Sequence, residues 1–277
     1  MDIRIVSDLH VDVNRQGNFG FRHEKQDILL IAGDIAGSYT KELSWLQGLT
    51  KDITCPIFVV AGNHLGYEYK FDIDYYFNDN KKIGTKQWSI DYLKKNCPSN
   101  IHYLDNDFVD IGDYIVFGGT MYSDYKLYAN KELSQKAGEQ YLNDFRYVYI
   151  VDKKQKIIRP VNTDDYIQWH RLFMRRLKAC LKKTDKDIII LSHFAPSSKS
   201  ISEKYRKGTD IAVNASYCSN LEKFILDNPR IKMWAHGHMH DSFDYFVGNC
   251  HVICEPYGYS RENNRGHRRY LGKLIQI

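Results

Sequence analysis

Long hydrophobic runs are missing from this 277-residue chain: the longest, around residues 28–32 and 57–61, reach roughly seven residues, where a membrane-spanning helix needs about 20. A secretory leader is missing too, because Asp2 and Arg4 interrupt the first apolar stretch, so the cytoplasm is the expected location. The six cysteines (Cys55, Cys97, Cys180, Cys218, Cys250 and Cys254) form no CxxC pair and no zinc-ribbon spacing. A disulfide framework and a thiolate metal site are thereby excluded, and free, mostly buried thiols are expected. Cys250 and Cys254 fall in one expected strand, on the same face but not adjacent. Charge of one sign is also scarce. The net charge of +5, from 39 basic and 34 acidic residues, is too thin to mark a nucleic-acid binder. No internal repeat or low-complexity tract interrupts the chain.

What remains is the composition of a globular protein, 43% hydrophobic and 26% charged, long enough to bury a full core. Tyrosine is abundant, with 21 copies, and suits walls that are half buried and half wet. Residues 3–6, 27–32 and 56–61 read as buried strands, with Leu43, Leu46 and Leu49 at helical spacing between the last two. The pattern returns late, with strands at 187–191 and 231–235 flanking a helix at 219–226. Residues 243–254 and 270–277 read as closing antiparallel strands, and 114–119 as a further strand. Such alternation implies a layered α/β sheet. The middle differs. Helices are expected at 86–95, 131–142 and 164–182, the last with a stripe of Trp169, Leu172, Phe173, Leu177, Cys180 and Leu181. One domain over 1–277 is expected, with insertions at about 66–110 and 124–185 lying over one sheet edge.

Each expected strand runs into a small polar cluster: Ser7-Asp8-Leu9-His10, Gly33-Asp34, Gly62-Asn63-His64, Ser192-His193 and His236-Gly237-His238-Met239-His240. Ligand crevices of open α/β sheets lie beyond the carboxyl ends of the strands, so five clusters at five such ends would converge. Asp8 and His10 are two apart and, on an extended segment, would face one side; His238 and His240 repeat the spacing. Gly33, Gly62 and Gly237 would let the backbone turn beside a bound ion. Oxygen and imidazole without sulfur suit manganese, iron, zinc or nickel, and not calcium.

The ordered series DxH, GD, GNH, H and GHxH, from Asp8 to His240, resembles the calcineurin-like metallophosphoesterase superfamily. Residues 119–124 (GTMYSD), 142–146 (LNDFR) and 255–259 (EPYGY) resemble a bacterial and phage branch of it. The resemblance implies a four-layer α/β/β/α sandwich of mixed sheets and two divalent ions. One ion would be held by Asp8, His10, Asp34 and His240, the other by Asp34, Asn63, His193 and His238, with Asp34 bridging. It further implies hydrolysis of a phosphate ester by in-line attack of a bridging hydroxide, with His64 donating a proton to the leaving oxygen. Two such cations outweigh the charge of Asp8, Asp34 and the hydroxide, leaving the cluster positive towards an anionic substrate. Many members carry an acid directly after the GNH histidine, where this chain has Leu65, which weakens the case for His64 relative to the ligands.

Arg146 and Tyr122 are candidate substrate contacts, against a structural reading of equal weight. Tyr257, Tyr259 and Arg261 are candidates of the same kind, with a loop reading slightly ahead of substrate contact. His236 would support the ligand pair from behind, and His23, His102, His170, His251 and His267 stand outside any motif. Three functions follow: hydrolysis of a small phosphodiester or nucleotide, a nuclease, or an inactive metal-holding scaffold. Residues 199–207 (KSISEKYRK) and 261–269 (RENNRGHRR) mix basic with polar and aromatic side chains as nucleic-acid grooves do, although a solvated surface explains them as well.

Overall fold

Alternate residues along the strands face different cores, and this organises the molecule. The computed structural model describes residues 1–14, 17–67, 85–152, 157–207, 209–260 and 269–277. In β1 (Asp2–Val6), β2 (Ile28–Ile31) and β3 (Ile57–Val60), the side chains of Ile3, Ile5, Leu30, Phe58 and Val60 enter one cluster. Those of Val6, Leu29, Ile31 and Val59 enter another. The two-residue pleat period separates them. In the second sheet β9 (Asp187–Ser192) and β10 (Ile231–His236) do the same, with Ile189, Leu191, Met233 and Ala235 facing the first cluster and Ile188, Ile190 and Trp234 facing a third.

Three apolar spaces therefore separate four layers. The middle space lies between two mixed sheets. The second is roofed by α1 (Tyr39–Leu49) and α2 (Lys86–Asn96), which supply Leu46, Leu49, Ile90 and Leu93. The third is covered by α5 (Thr163–Lys183), whose Phe173 meets Phe117 edge-on at 5.2 Å. Helix α5 begins with a capping box, in which Asn162 accepts from the Asp165 N–H and the Asp165 carboxylate accepts from the Asn162 N–H. The expected α/β/β/α sandwich is present.

The first sheet has strand order β13-β1-β2-β3-β4, with β13 (Lys273–Gln276) antiparallel to β1 and the rest parallel. The second has order β11-β12-β10-β9-β6-β5, parallel from β12 (Cys250–Cys254) to β6 (Tyr114–Gly119) and antiparallel at both edges, where β11 (Phe243–Val247) and β5 (Asp107–Asp110) lie. The two expected closing segments thus close different sheets. Residues 101–110 belong to the sheets, β4 (Ile101–Leu104) to the first and β5 (Asp107–Asp110) to the second, although the stretch 66–110 reads as an insertion. The alternation of half-buried and exposed residues in β5 is that of an edge strand and hid it, whereas β4 is mostly buried but only four residues long. Residues 124–185 contain α3 (Lys131–Tyr141), the single-turn α4 (Asp144–Tyr147) and the hairpin β7 (Tyr149–Asp152)–β8 (Ile157–Pro160) ahead of α5. The short α6 (Glu222–Leu226) precedes β10. All six cysteines are free thiols. No helix among the described residues is long and apolar enough to cross a membrane.

Candidate metal centre

The parallel strands β1, β2 and β3 of one sheet and β9 and β10 of the other deliver their carboxyl ends to a common seam. Hydrogen bonds stitch it: Asp8 N–H donates to Gly33 O (3.1 Å) and Gly237 N–H to His193 O (3.0 Å). Side chains could not pack this tightly if the turns carried methyl groups. A Cβ at Gly62 would stand 1.8 Å from Asp34 Oδ1, and one at Gly33 (φ +87°) 2.5 Å from His193 Nδ1.

Backbone conformation aims the ligand-type side chains. Asp8, His10, Asp34, His238 and His240 all adopt positive φ, between 43° and 72°. Each such residue costs on the order of 1 kcal/mol for a side chain other than glycine. The extended geometry expected for Asp8-Leu9-His10 and His238-Met239-His240 is therefore wrong. An extended chain would have continued the ladder; the left-handed turns instead fold each pair back over its strand end. The side chains converge all the same.

Asp34 stands at the centre. Its Oδ1 accepts the His64 N–H at 3.0 Å, which directs Oδ2 inward. That oxygen lies 3.5 Å from His193 Nε2 and 3.8 Å from the Nε2 atoms of both His10 and His64. Asp8 accepts from the His238 N–H at 3.0 Å and lies 3.7 Å from His240 Nε2. Three sets of potential ligand atoms, Asp8/His10/His240, His10/Asp34/His64 and Asp8/Asp34/His193, each fall within 4.8 Å of one another.

Two contacts reveal what the cluster is built to hold. His193 Nδ1 faces Ala32 O at 2.8 Å; a carbonyl can only accept, so Nδ1 carries the proton. In the neutral ring Nε2 is then a bare lone pair, yet it faces Asn63 Oδ1 at 2.8 Å. That oxygen is identified by the other half of the amide, since Asn63 Nδ2 donates to Asp144 Oδ1 at 2.9 Å. Two acceptors at this distance call for a cation between them. On the other side His10 Nε2 and His240 Nε2 are 3.1 Å apart. The buried His238 Nε2 finds no hydrogen-bond partner among the described residues. The donor set fits divalent metals that accept nitrogen and oxygen together.

Titration properties agree with that fit at His10, His238 and Asp34, while Asp8 and His193 shift towards their protonated forms. Burial, reinforced by repulsion from neighbouring imidazoles, holds His10 and His238 well below the ordinary histidine range, so both keep free lone pairs. Burial also opposes ionisation of Asp34, but His64 and His193 outweigh it and hold the carboxyl well below its usual range. Burial pushes Asp8 up against the opposing pull of His240 and His193. Burial lowers His193 too, but Asp34 outweighs it and the net shift is upward.

All of Asp8, His10, Asp34, Asn63, His64, His193, His238 and His240 thus meet in one place. Arg146 and Tyr122 do not join them. The exposed Arg146 guanidinium donates to Gln140 O (3.1 Å) at the end of α3, where helix carbonyls lack partners. The Tyr122 ring is buried among Tyr166, Trp169 and Phe194, with centroids 4.3–5.1 Å away. His236 is buried behind the pair with Nε2 at 2.8 Å from Ser200 Oγ, and burial pushes it down to about 4. His251 pairs with Asp244 and His170 Nδ1 contacts Tyr122 O (3.1 Å). Arg261 and His267 lie outside the described residues.

Two participants, Tyr67 and Asp144, escape sequence reasoning, and a third, Tyr259, is undervalued by it. Tyr259, read as a loop residue, stacks on His10 at 4.5 Å and places its hydroxyl 3.3 Å from His64 Nε2. Tyr67 stacks on the other face of the site, 4.1 Å from the His64 ring. Asp144 sits within the LNDFR stretch, where the arginine draws attention first. Leu65, in place of an acid, is 1% exposed and packs in the core beneath the first sheet's outer face.

Comparison with known proteins accords with this geometry. The chain is 26% identical over 278 residues to an uncharacterised protein of Acanthamoeba polyphaga mimivirus, covering 95% of this chain and 92% of that one. Its fold superposes on the phosphopantetheinyl hydrolase of Mycobacterium tuberculosis with a TM-score of 0.70 at 16% identity, over 99% of this chain and 95% of the other. Residues 1–242, which contain every ligand-type residue of the seam, match the family model of the calcineurin-like phosphoesterases, and the chain belongs to that family of metal-dependent phosphoester hydrolases.

Proposed function

We propose that this chain hydrolyses a small phosphodiester or nucleotide with two divalent ions held at the seam. Asp8, His10, Asp34 and His240 would hold one ion, and Asp34, Asn63, His193 and His238 the other. The observation that carries this reading is the convergence of His193 Nε2, Asn63 Oδ1 (2.8 Å) and Asp34 Oδ2 (3.5 Å), which with a neutral imidazole are three lone-pair donors turned on one point. Bound there, two ions would supply Lewis acidity and an activated water for attack on phosphorus. The protein's own contribution is orientation: Asp34 Oδ2 reaches both halves of the cluster because Oδ1 is tied to the His64 N–H.

His64 is assigned the leaving-group proton. Its side chain is 20% exposed, whereas those of His10 and His193 are fully buried, so it opens to a substrate. Tyr67 beneath the ring and the Tyr259 hydroxyl beside Nε2 fix its orientation, in the absence of an acid at position 65. A cavity of about 590 Å³ runs outward from His238 and His240 past Tyr141, Tyr205, Tyr217 and Lys204. That volume suits a small molecule with a ring to stack.

Of the two basic runs behind the nuclease reading, the first is partly engaged within the chain and most of the second lies outside the described residues. Within residues 199–207, Lys199 pairs with Glu222, Lys204 pairs with Asp241, and Arg206 donates to Ile201 O. Of the other basic run only Arg269 is described, and it pairs with Glu24. The test is turnover of bis-p-nitrophenyl phosphate by manganese-loaded protein, followed by nucleotides, cyclic nucleotides and oligonucleotides. Wild type is expected to turn over the diester, and Asp34→Asn to lose at least about 10²-fold. Equal background in both proteins would sink the enzyme reading in favour of a scaffold. A preference for long oligonucleotides with steep salt dependence would favour the nuclease.

A further inference from the structure

Asp144 is buried, 1% exposed, yet three donors converge on its carboxylate. Asn63 Nδ2 reaches Oδ1 at 2.9 Å, the Tyr67 hydroxyl donates to the same oxygen, and the Tyr166 hydroxyl donates to Oδ2. Burial and the nearby carboxylate hold both phenols well above their ordinary range, so they remain donors. Asp144 belongs to a single-turn helix outside the two sheets, 81 residues from the amide that it grips.

The amide of Asn63 has two orientations of nearly equal shape, and only one presents oxygen to the seam. Flipped, it would place its NH₂ against His193 Nε2, which in the neutral ring is an acceptor because Nδ1 holds the proton towards Ala32 O. An ordinary hydrogen bond would then fill the gap, and two lone pairs would be lost to a metal at once. A carboxylate cannot donate, so Asp144 repels the flipped amide and accepts from the correct one.

We propose that Asp144, held by Tyr67 and Tyr166, is the positioning residue that locks the Asn63 amide with its oxygen towards His193, keeping one half of the centre open to a cation. The inference rests on the two-metal reading above. The Tyr67 ring also stacks on His64, so one carboxylate orders a ligand and the base of the proton donor together. Outer partners of this kind are typically worth about 10–100-fold in metal affinity.

Stepwise Mn²⁺ binding to the full chain, followed by electron paramagnetic resonance of free manganese, tests this without recourse to turnover. Wild type should take up two ions; fewer than two would overturn the two-metal reading and this inference with it. Asp144→Leu should weaken one step about 10–100-fold and leave the other within about threefold, while Asp144→Asn, which keeps an acceptor for the amide, should stay near wild type. In an Asn63→Ala background, Asp144→Leu should add no more than about twofold, because its effect acts through that amide. Should Asp144→Leu fail to fold, Tyr166→Phe takes its place, with a loss of about threefold or more at the same step and none at the other. Equal weakening of both steps, or an undiminished effect without Asn63, would reduce Asp144 to a structural residue and overturn the proposal.

Discussion

Gly62→Ala puts one methyl group where the seam has no room, and the consequence can be worked out from the distances. The new Cβ would lie 1.8 Å from Asp34 Oδ1, 2.3 Å from Asp34 N and 2.5 Å from Asp34 Cγ. Rotating the carboxylate relieves the first contact but not the second, so the loops after β2 and β3 must part by about 1 Å or more. The bond from the His64 N–H to Asp34 Oδ1 is then lost, at a cost of about 1–3 kcal/mol for buried groups left unpaired. Asp34 Oδ2 moves out of reach of the three imidazoles it now approaches within 3.8 Å. A misplacement of about 1 Å is worth on the order of 10² in rate. Manganese-loaded Gly62→Ala should show that loss on bis-p-nitrophenyl phosphate, with fewer than two ions by elemental analysis. Gly48→Ala is the control. It lies inside α1, its Cβ would find only Arg22 Nη2 at 4.0 Å, and it should stabilise the fold by about 0.5–1 kcal/mol with turnover unchanged. A Gly62→Ala protein that keeps two ions and wild-type turnover would refute the packing argument.

Two further predictions bear on single groups. His64→Ala should lower turnover about 10²–10⁴-fold on diesters with alkyl leaving groups and far less on p-nitrophenyl esters, which leave without a proton; equal losses on both would remove its role as donor. Glu42, buried and accepting from the Tyr103 hydroxyl at 2.8 Å, is pushed up by burial from 4.5 to about 8. A raised carboxyl favours the folded state fully below its unfolded value and loses that contribution as pH climbs to the folded one. The native protein should therefore lose stability between pH 4.5 and 8 on this account, by no more than about 5 kcal/mol. Glu42→Gln should flatten the melting temperature across that window, and superimposable pH profiles for the two proteins would contradict the assignment.

Much of the site was legible because its chemistry is local in sequence. Each ligand-type residue follows directly on a buried strand, and apolar runs such as Asp187–Ser192 announce their strand whatever the neighbours. Edge strands were less visible. In β5 and β13 residues alternate between half-buried and exposed, so the apolar signal is diluted and residues 107–110 passed for part of an insertion. The same dilution hid which sheet β13 would join, since its partner β1 lies at the other end of the chain, Asp2 opposite Gln276.

The sequence by itself determined the donor types, their order and their attachment to strand ends, because hydrophobic periodicity and turn residues act over a few neighbours. Only the tertiary structure decided the left-handed backbone that aims Asp8, His10, Asp34, His238 and His240. It alone moved Arg146 to a helix end and Tyr122 into the core, and brought Tyr259 and Asp144 to the centre. Orientation of a side chain is set by what packs against it, and those partners come from distant segments that share no pattern until the two sheets close.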